Sequence, residues 1–319
     1  MSDTTLRQQA ARVDAQTRVS SQEQARRPFR WRRELTGWTF ILPLLLVYVL
    51  FLLIPILLGF RLSFFNASLV GSGLSQFTGL ANYLEVLRDP NFWGAVWNTV
   101  IFTVISTPIL LILSLIVAIM VNSIRRFQWV YRIAFFAPYT LSITVMVLIW
   151  NWLYQPGYGL INSALTSIGL PSVNWLSEVG VAMASIIIIT VWWTFGFNFL
   201  LYLAGLQQIS RDMYEASALD GAGWWAQVRH ITIPLLRRQT VLILVLQVIA
   251  SLQLFGQSYL LTGGGPNFST RSAIEYIYDS GFTNFRVGYA SAMSYLFFIV
   301  ILLVSLVQYG AVLRQRRNG

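Results

Sequence analysis

The chain has 319 residues, 56% hydrophobic and 11% charged, with a formal net charge of +10. A soluble domain carries about 25% charged residues, so this composition points to the bilayer. Disulfides and thiolate metal sites are excluded by the absence of cysteine, and a multi-histidine centre by the single histidine, His230.

All 22 basic residues are arginine, so the chain cannot supply the lysine that a P-loop or a protein-kinase site requires. The high isoelectric point suggests nucleic acid, but the arginines lie in short runs between apolar segments, which is a topology pattern.

Residues 1–34 are polar and arginine-rich, with no apolar core and no small-residue cleavage site. They read as a basic cytoplasmic tail. The run Arg26 to Arg33 suits either anionic lipid or a plain orientation signal. A membrane-embedded body is then expected over 35–313, with a short cytoplasmic end at 314–319.

A bilayer core needs about 20 mainly apolar residues per helix. Six segments meet this, at 37–60, 95–121, 130–153, 180–206, 239–261 and 287–312, and their interiors carry no acidic or basic side chain. Prolines 43, 55, 108 and 138 fall in or beside them, where neighbouring groups can re-satisfy the backbone.

Between spans one and two, Asn82–Leu87 suits a helix that Asp89-Pro90 breaks, and Phe92, Trp93 and Trp97 read as interface aromatics. After span three, Pro156-Gly157 and Gly169–Pro171 are turn signals. Gly263, Gly264, Gly265 and Pro266 end span five, as a helix stop, a hinge or a close-approach surface.

The charges orient the spans. Eight arginines precede span one. Arg125, Arg126 and Arg132 lie at the second junction; Arg211, Arg229, Arg237 and Arg238 at the fourth; Arg314, Arg316 and Arg317 follow span six. The opposite side has Arg61, Arg88, Arg271 and Arg286. The positive-inside rule therefore places both termini, and the 207–238 loop, in the cytoplasm.

That loop carries "MYEASALDGAGWWAQVRHITIPLL" at 213–236. Tyr214–Ala218 favours a helix with Asp212 near its N-cap, and Asp220-Gly221 favours a turn. A second helix is expected over Ala222–Arg229, with Pro234 opening the next membrane segment. Glu215 and Asp220 are placed to pair with Arg211 or Arg229, and His230 reads as loop surface. Two readings stand: a docking element for a partner, or an amphipathic connector at the interface.

Ion-driven carriers usually keep ionisable groups in their spans. No acid, arginine or histidine lies in the span interiors here, Arg132 standing at the edge of the third, and no paired carboxylates, nucleophile–base pair or His-Glu zinc pair suggests catalysis. Transport work would then draw its energy from another chain. A stand-alone carrier or channel, and a scaffold, remain as alternatives.

The motif "EASALDGA…ITIPLL" resembles the EAA signature of permease subunits of ABC importers, matched at Glu215, Ala216, Asp220, Gly221, Ala222, Ile231 and Pro234. Ser217 replaces the usual second alanine, and Val228 an aromatic. "FTGLANY…DPNFWGAVWNT", "WNWLYQPGYGLIN", "LAGLQQISRDMYEAS" and "LTGGGP" are similar to the sugar-uptake branch, in particular its maltose-type first permease subunit, over roughly 37–313.

The resemblance implies an all-α membrane protein of the type I ABC importer permease fold in a bacterial cytoplasmic (inner) membrane. Its coupling helix would dock to an ATPase through Glu215, Ala216, Ser217, Asp220, Gly221, Ala222 and Trp224. It also implies no cofactor in this chain, with ATP and Mg on the partner ATPase. The implied partners are a second permease, two ATPase copies, an extracytoplasmic solute-binding protein and membrane lipid, with no nucleic acid.

The resemblance further implies a solute site including Trp193, Phe197, Gln247, Ser251 and Leu254. Independently, Gln247, Ser251, Leu254 and Ser258 share one helical face. Trp150, Asn151 and Tyr154 are candidates to extend that lining. Interhelical hydrogen bonding and aromatic packing are the competing reading for each residue.

Overall fold

The computed structural model describes residues 31–68, 74–124 and 126–317, with side chains described over 38–68, 76–124 and 126–310. The expectations for residues 1–30, for Arg125 and for the last two residues lie outside this range. The chain divides into two units, 1–59 and 60–319.

The first unit contains α1 (Trp31–Tyr48), a π turn (Val49–Leu53) and the start of α2 (Ile54–Leu62). Pro43 lies inside α1. Phe40, Leu44 and Phe51 are exposed. A long apolar helix with uncovered side chains is compatible with lipid, where such exposure costs nothing.

The second unit opens with a short antiparallel hairpin, β1 (Phe65–Ala67) and β2 (Leu74–Phe77), with Phe65 opposite Phe77. Helix α3 (Ala81–Arg88) follows, then the 34-residue α4 (Pro90–Ser123). Asp89 caps α4 by accepting from the Asn91 amide at 2.8 Å, with Pro90 in the first turn, where its missing N–H is harmless. The Asp89-Pro90 pair therefore both ends α3 and starts α4. Phe92 is fully buried rather than interfacial, whereas Trp93 and Trp97 are exposed. Phe92 faces the core because it packs with Val86, Tyr289 and Met293.

The expected third span is not one straight helix. It comprises α5 (Gln128–Phe136), a 3-10 turn (Ala137–Thr140) and α6 (Ile143–Leu153), bent by 94°. Pro138 lies in that turn, where it cannot donate to a continuing helix. After α7 (Leu160–Ser167) comes α8 (Val181–Leu206).

The segment after α8 contains α9 (Arg211–Leu219), α10 (Trp224–Gln227), a π turn (Val228–Thr232) and α11 (Ile233–Leu235). Helix α12 (Arg237–Leu252) leaves at 63° to the stretch before it. The expected fifth span breaks at Gln253–Phe255 and resumes as α13 (Gly256–Leu261). Then follow α14 (Ala273–Tyr278), a π turn (Asp279–Thr283) and α15 (Val287–Arg317).

Among the described residues, four helices are long and apolar enough to cross a membrane, and up to six spans result if each bent pair counts as one. Helices α4 and α8 make the most extensive contact in the unit, and α12 packs on α4. Hydroxyls on these helices return to their own backbone: Thr99 to Ala95, Thr103 to Thr99 and Thr190 to Ile186, at 2.8–2.9 Å. That leaves few polar atoms unsatisfied in apolar surroundings.

A Cβ at Gly196 would lie 2.1 Å from the Phe135 carbonyl oxygen, so α5 and α8 meet backbone to backbone there. Three cores fill the unit. One gathers Phe102, Met146, Tyr154, Ile186 and Leu254. A second joins Val86, Phe92, Ala273 and Met293. The third, towards the α9 end, holds Ala118, Phe199, Tyr202, Leu236 and Ile243.

Candidate functional site

Three places concentrate polar chemistry: the α9–α11 elbow, a cavity among the long helices, and a cluster at the far end of the bundle.

At the elbow, α9 starts earlier than its composition suggests. Ser210, not Asp212, is the N-cap, accepting from the Asp212 amide at 3.2 Å. Asp212 sits in the first turn, where an acid favours the helix dipole. The helix closes in a Schellman arrangement: Ala222 N donates to Ser217 O at 2.9 Å and Gly221 N to Ala218 O at 3.1 Å. This requires φ of +83° at Gly221, which glycine adopts without strain.

The second arm begins at Trp224, not Ala222, and Pro234 falls in the first turn of the short α11. Ile233 N reaches back to Val228 O across the π turn, and the membrane-directed helix begins only at Arg237.

The arms are stapled together. Gln227 Nε2 donates to the Tyr214 carbonyl and to Ser217 Oγ, both at 3.0 Å, and the Tyr214 hydroxyl bonds Thr232 Oγ1 at 3.0 Å. The expected ion pairs of Glu215 or Asp220 with Arg211 or Arg229 are not formed among the described residues, and all four side chains are exposed. Ser217, the departure from the usual alanine, accepts one of these hydrogen bonds.

Glu215, Ala216, Asp220 and Gly221 are exposed, and Ala222 half-buried. At the tip Leu219 is 90% exposed, with Trp225 at 76% and Trp224 at 50%. His230 is exposed, its Nδ1 3.0 Å from the Ala226 carbonyl. A hollow of about 400 Å³ lies between the elbow and the ends of α4 and α8, bordered by Arg211, Tyr214, Glu215 and Trp224.

The cavity, about 240 Å³, lies among α4, the 3-10 turn after α5, α8 and α12. Five of the expected residues line it: Trp193, Phe197, Gln247, Ser251 and Leu254. Asn198 Nδ2 donates to Gln247 Oε1 at 2.7 Å, and Gln247 Nε2 to Ser251 Oγ at 3.0 Å. The Tyr139 ring stacks on Phe197 with centroids 5.3 Å apart.

Tyr139, Thr190 and Asn198 also line the cavity, though sequence reasoning did not single them out. Their signal was weak, since one amide and one hydroxyl in apolar helices are as readily packing groups. Trp150, Asn151 and Tyr154 lie elsewhere. Tyr154 is buried and stacks on Trp175 at 5.1 Å, Trp150 packs against Trp192, and Asn151 accepts from Gln155. The 94° bend turns α6 so that this face packs into the core.

At the far end, Asp89 Oδ2 accepts from the hydroxyls of Tyr276 and Tyr289, both at 2.6 Å. Burial alone would raise the Asp89 carboxyl, but these bonds and two backbone amides hold it below its usual range. Burial, together with Asp89 itself, pushes the Tyr276 hydroxyl up to about 12.

Glu275 is 1% exposed. It completes a capping box with Ser272 and accepts from Ser258 of α13. Burial raises its carboxyl, against the hydrogen bonds from Ser258 and Ser272. The buried Arg271 guanidinium lies 4.0 Å from the Phe268 ring centroid and 4.4 Å from that of Tyr276. Arg286 holds Glu85 at 2.7 Å. The spacing Ser272–Glu275 was the one readable sign of this cluster.

Residues 80–318 match the family described as Binding-protein-dependent transport system inner membrane component. The chain belongs to this family. The permease is 35% identical over 293 residues to the trehalose/maltose transport system permease protein MalF of Thermococcus litoralis, covering 91% of this chain and 97% of that one. It is 33% identical over 284 residues to the sulfoquinovosyl glycerol transport system permease protein SmoG of Agrobacterium fabrum, covering 87% and 92%.

In fold, the permease is similar to a chain of a bacterial alginate ABC transporter crystallised with an alginate pentasaccharide-bound periplasmic protein. The TM-score is 0.77 at 24% identity, covering 87% of this chain and 93% of that one.

Proposed function

We propose that this permease is a transmembrane subunit of an ATP-driven importer for a carbohydrate or related polar solute, and that it receives its motion through the elbow. The supporting observation is a rigid, exposed hook. Its arms are fixed by Gln227 and Tyr214, and its tip presents Leu219 and Trp225 beside the EAA residues Glu215, Ala216, Asp220 and Gly221. Leu219 and Trp225 are anchors of the kind that fill a partner's groove. Relatives named for trehalose/maltose and for sulfoquinovosyl glycerol support the solute class.

In this reading the elbow and both termini are cytoplasmic, six spans cross the inner membrane, and the chain carries no nucleotide site. ATP and Mg bind two copies of a partner ATPase. A second permease completes the pore, and an extracytoplasmic binding protein delivers the solute. Ser217, Ala222 and Trp224 support the hook. Trp193, Phe197, Gln247, Ser251 and Leu254 line the path.

The test is uptake by the reconstituted assembly. Gly221→Asp and Glu215→Lys should abolish uptake and ATPase association while membrane insertion persists. Uptake by this chain without any ATPase chain would instead establish the stand-alone carrier.

A further inference from the structure

The cavity among α4, α8 and α12 has a composition that bears on the charge of its occupant. Its polar wall is Thr190, Asn198, Gln247, Ser251, Gln253 and Gln257, and its aromatic wall is Tyr139, Trp193 and Phe197. Phe102, Leu246 and Leu254 supply apolar surface. No lining residue is an acid, an arginine or a histidine.

Among the described residues no arginine lines this cavity. Arg237 and Arg238 begin α12. They stand ten and nine residues before Gln247, about 14 Å along the axis at ~1.5 Å per residue. Arg271 is held by two rings, and Arg286 is paired with Glu85.

An anion entering this space would shed water without meeting a counter-charge. Such burial costs several kcal/mol unless the charge is paired. Recognition of phosphate or carboxylate normally uses an arginine fork or a lysine.

A neutral hydroxyl meets the opposite situation. The Asn198–Gln247–Ser251 chain spends one amide hydrogen of each of Asn198 and Gln247 internally, and each amide has a second hydrogen. These groups can donate to and accept from hydroxyls. The Tyr139–Phe197 stack offers a flat apolar face to the C–H side of a ring. At about 240 Å³ the space lies below the roughly 300–1,000 Å³ of drug-sized pockets, so it suits one ring-sized unit.

We infer that this cavity selects an electrically neutral, polyhydroxylated ring and rejects its phosphorylated, sulfated or carboxylated counterpart. The inference rests on the reading of the chain as a solute permease and narrows the solute.

The test is equilibrium binding to the purified permease-containing assembly without the extracytoplasmic binding protein, which would impose its own selection. The probes are neutral mono- and disaccharides, each paired with its phosphate ester and its uronic acid. The neutral member should bind at least ten-fold more tightly in any pair that binds. Gln247→Arg should reverse that preference, and Asn198→Ala should weaken neutral binding without admitting anions.

Equal or tighter binding of the anionic member by the unaltered protein would overturn the inference, as would binding of neither member by any pair. The unaltered protein alone decides the matter if Gln247→Arg fails to fold. Failure of the ATPase to associate would strike the proposed function instead, and it leaves the neutral-to-anion ratio readable.

Discussion

Gln227 donates its side-chain amide to the backbone carbonyl of Tyr214 at 3.0 Å, bridging the two arms of the elbow across the glycine turn. The same nitrogen reaches Ser217 Oγ at 3.0 Å, and together with the Tyr214–Thr232 hydroxyl bond it sets the angle between the arms. A hook can transmit force only if its angle is fixed, and two short helices of nine and four residues have little rigidity of their own.

Gln227→Ala should loosen the elbow by about 1–2 kcal/mol, the net worth of two hydrogen bonds. Solute-stimulated ATP hydrolysis by the reconstituted assembly should fall several-fold, while the amount of inserted permease stays the same. Unchanged stimulation would show that the staple does not matter to transmission.

Gly221 has φ of +83° and nothing within 4 Å of a built Cβ, so the demand there is conformational rather than steric. Gly221→Ala should cost about 1–2 kcal/mol, the strain of a left-handed L-residue, and Gly221→Asn clearly less. Uptake rates of the two variants should rank in that order. Equal loss in both would indicate that a partner's backbone, rather than the turn, excludes the side chain.

Asn198 and Gln247 form the buried hydrogen bond between α8 and α12, at 2.7 Å. A double-mutant cycle with Asn198→Ala and Gln247→Ala should give a coupling energy of about 0.6 kcal/mol and no more than about 1.7, the average and maximum for interhelical hydrogen bonds in membranes. Denaturation in mixed micelles measures it, and a coupling near zero would mean the pair is bridged differently in solution.

Asp89 and Glu275 should give opposite pH dependences. The Asp89 carboxyl is held below its ordinary value of 3.8, so its contribution is present above that pH and is lost as pH falls through the folded value. Glu275 is raised above 4.5, so it opposes folding increasingly as pH rises from 4.5 through its higher folded value. Thermal unfolding between pH 3 and 7 should therefore show Asp89→Asn removing the acid-side loss. Glu275→Gln should flatten the decline on the neutral side. Parallel curves for both variants and the parent would contradict this assignment.

The sequence determined the membrane setting, because runs of about 20 apolar residues without charge have no other stable environment. It also determined the elbow's turn, because Asp220-Gly221 followed by two tryptophans and a proline carries its own local chemistry. The polar face shared by Gln247 and Ser251 was legible in helical spacing, but the break at Gln253–Phe255 ends that face: Leu254 lines the cavity from between two helices, and Ser258 turns to Thr270 and Glu275 instead.

What the tertiary structure decided depends on groups far apart in sequence. The 94° bend between Thr140 and Ile143 sends Tyr154 into the core and brings Tyr139 to the cavity, though both sit in one apolar stretch. Burial of Glu275 depends on Ser258, seventeen residues away on another helix. Gln227, rather than an ion pair, fixes the elbow. Local periodicity reports which face of a helix is apolar. Which polar groups share a space is set by packing between helices, and that follows from where they bend.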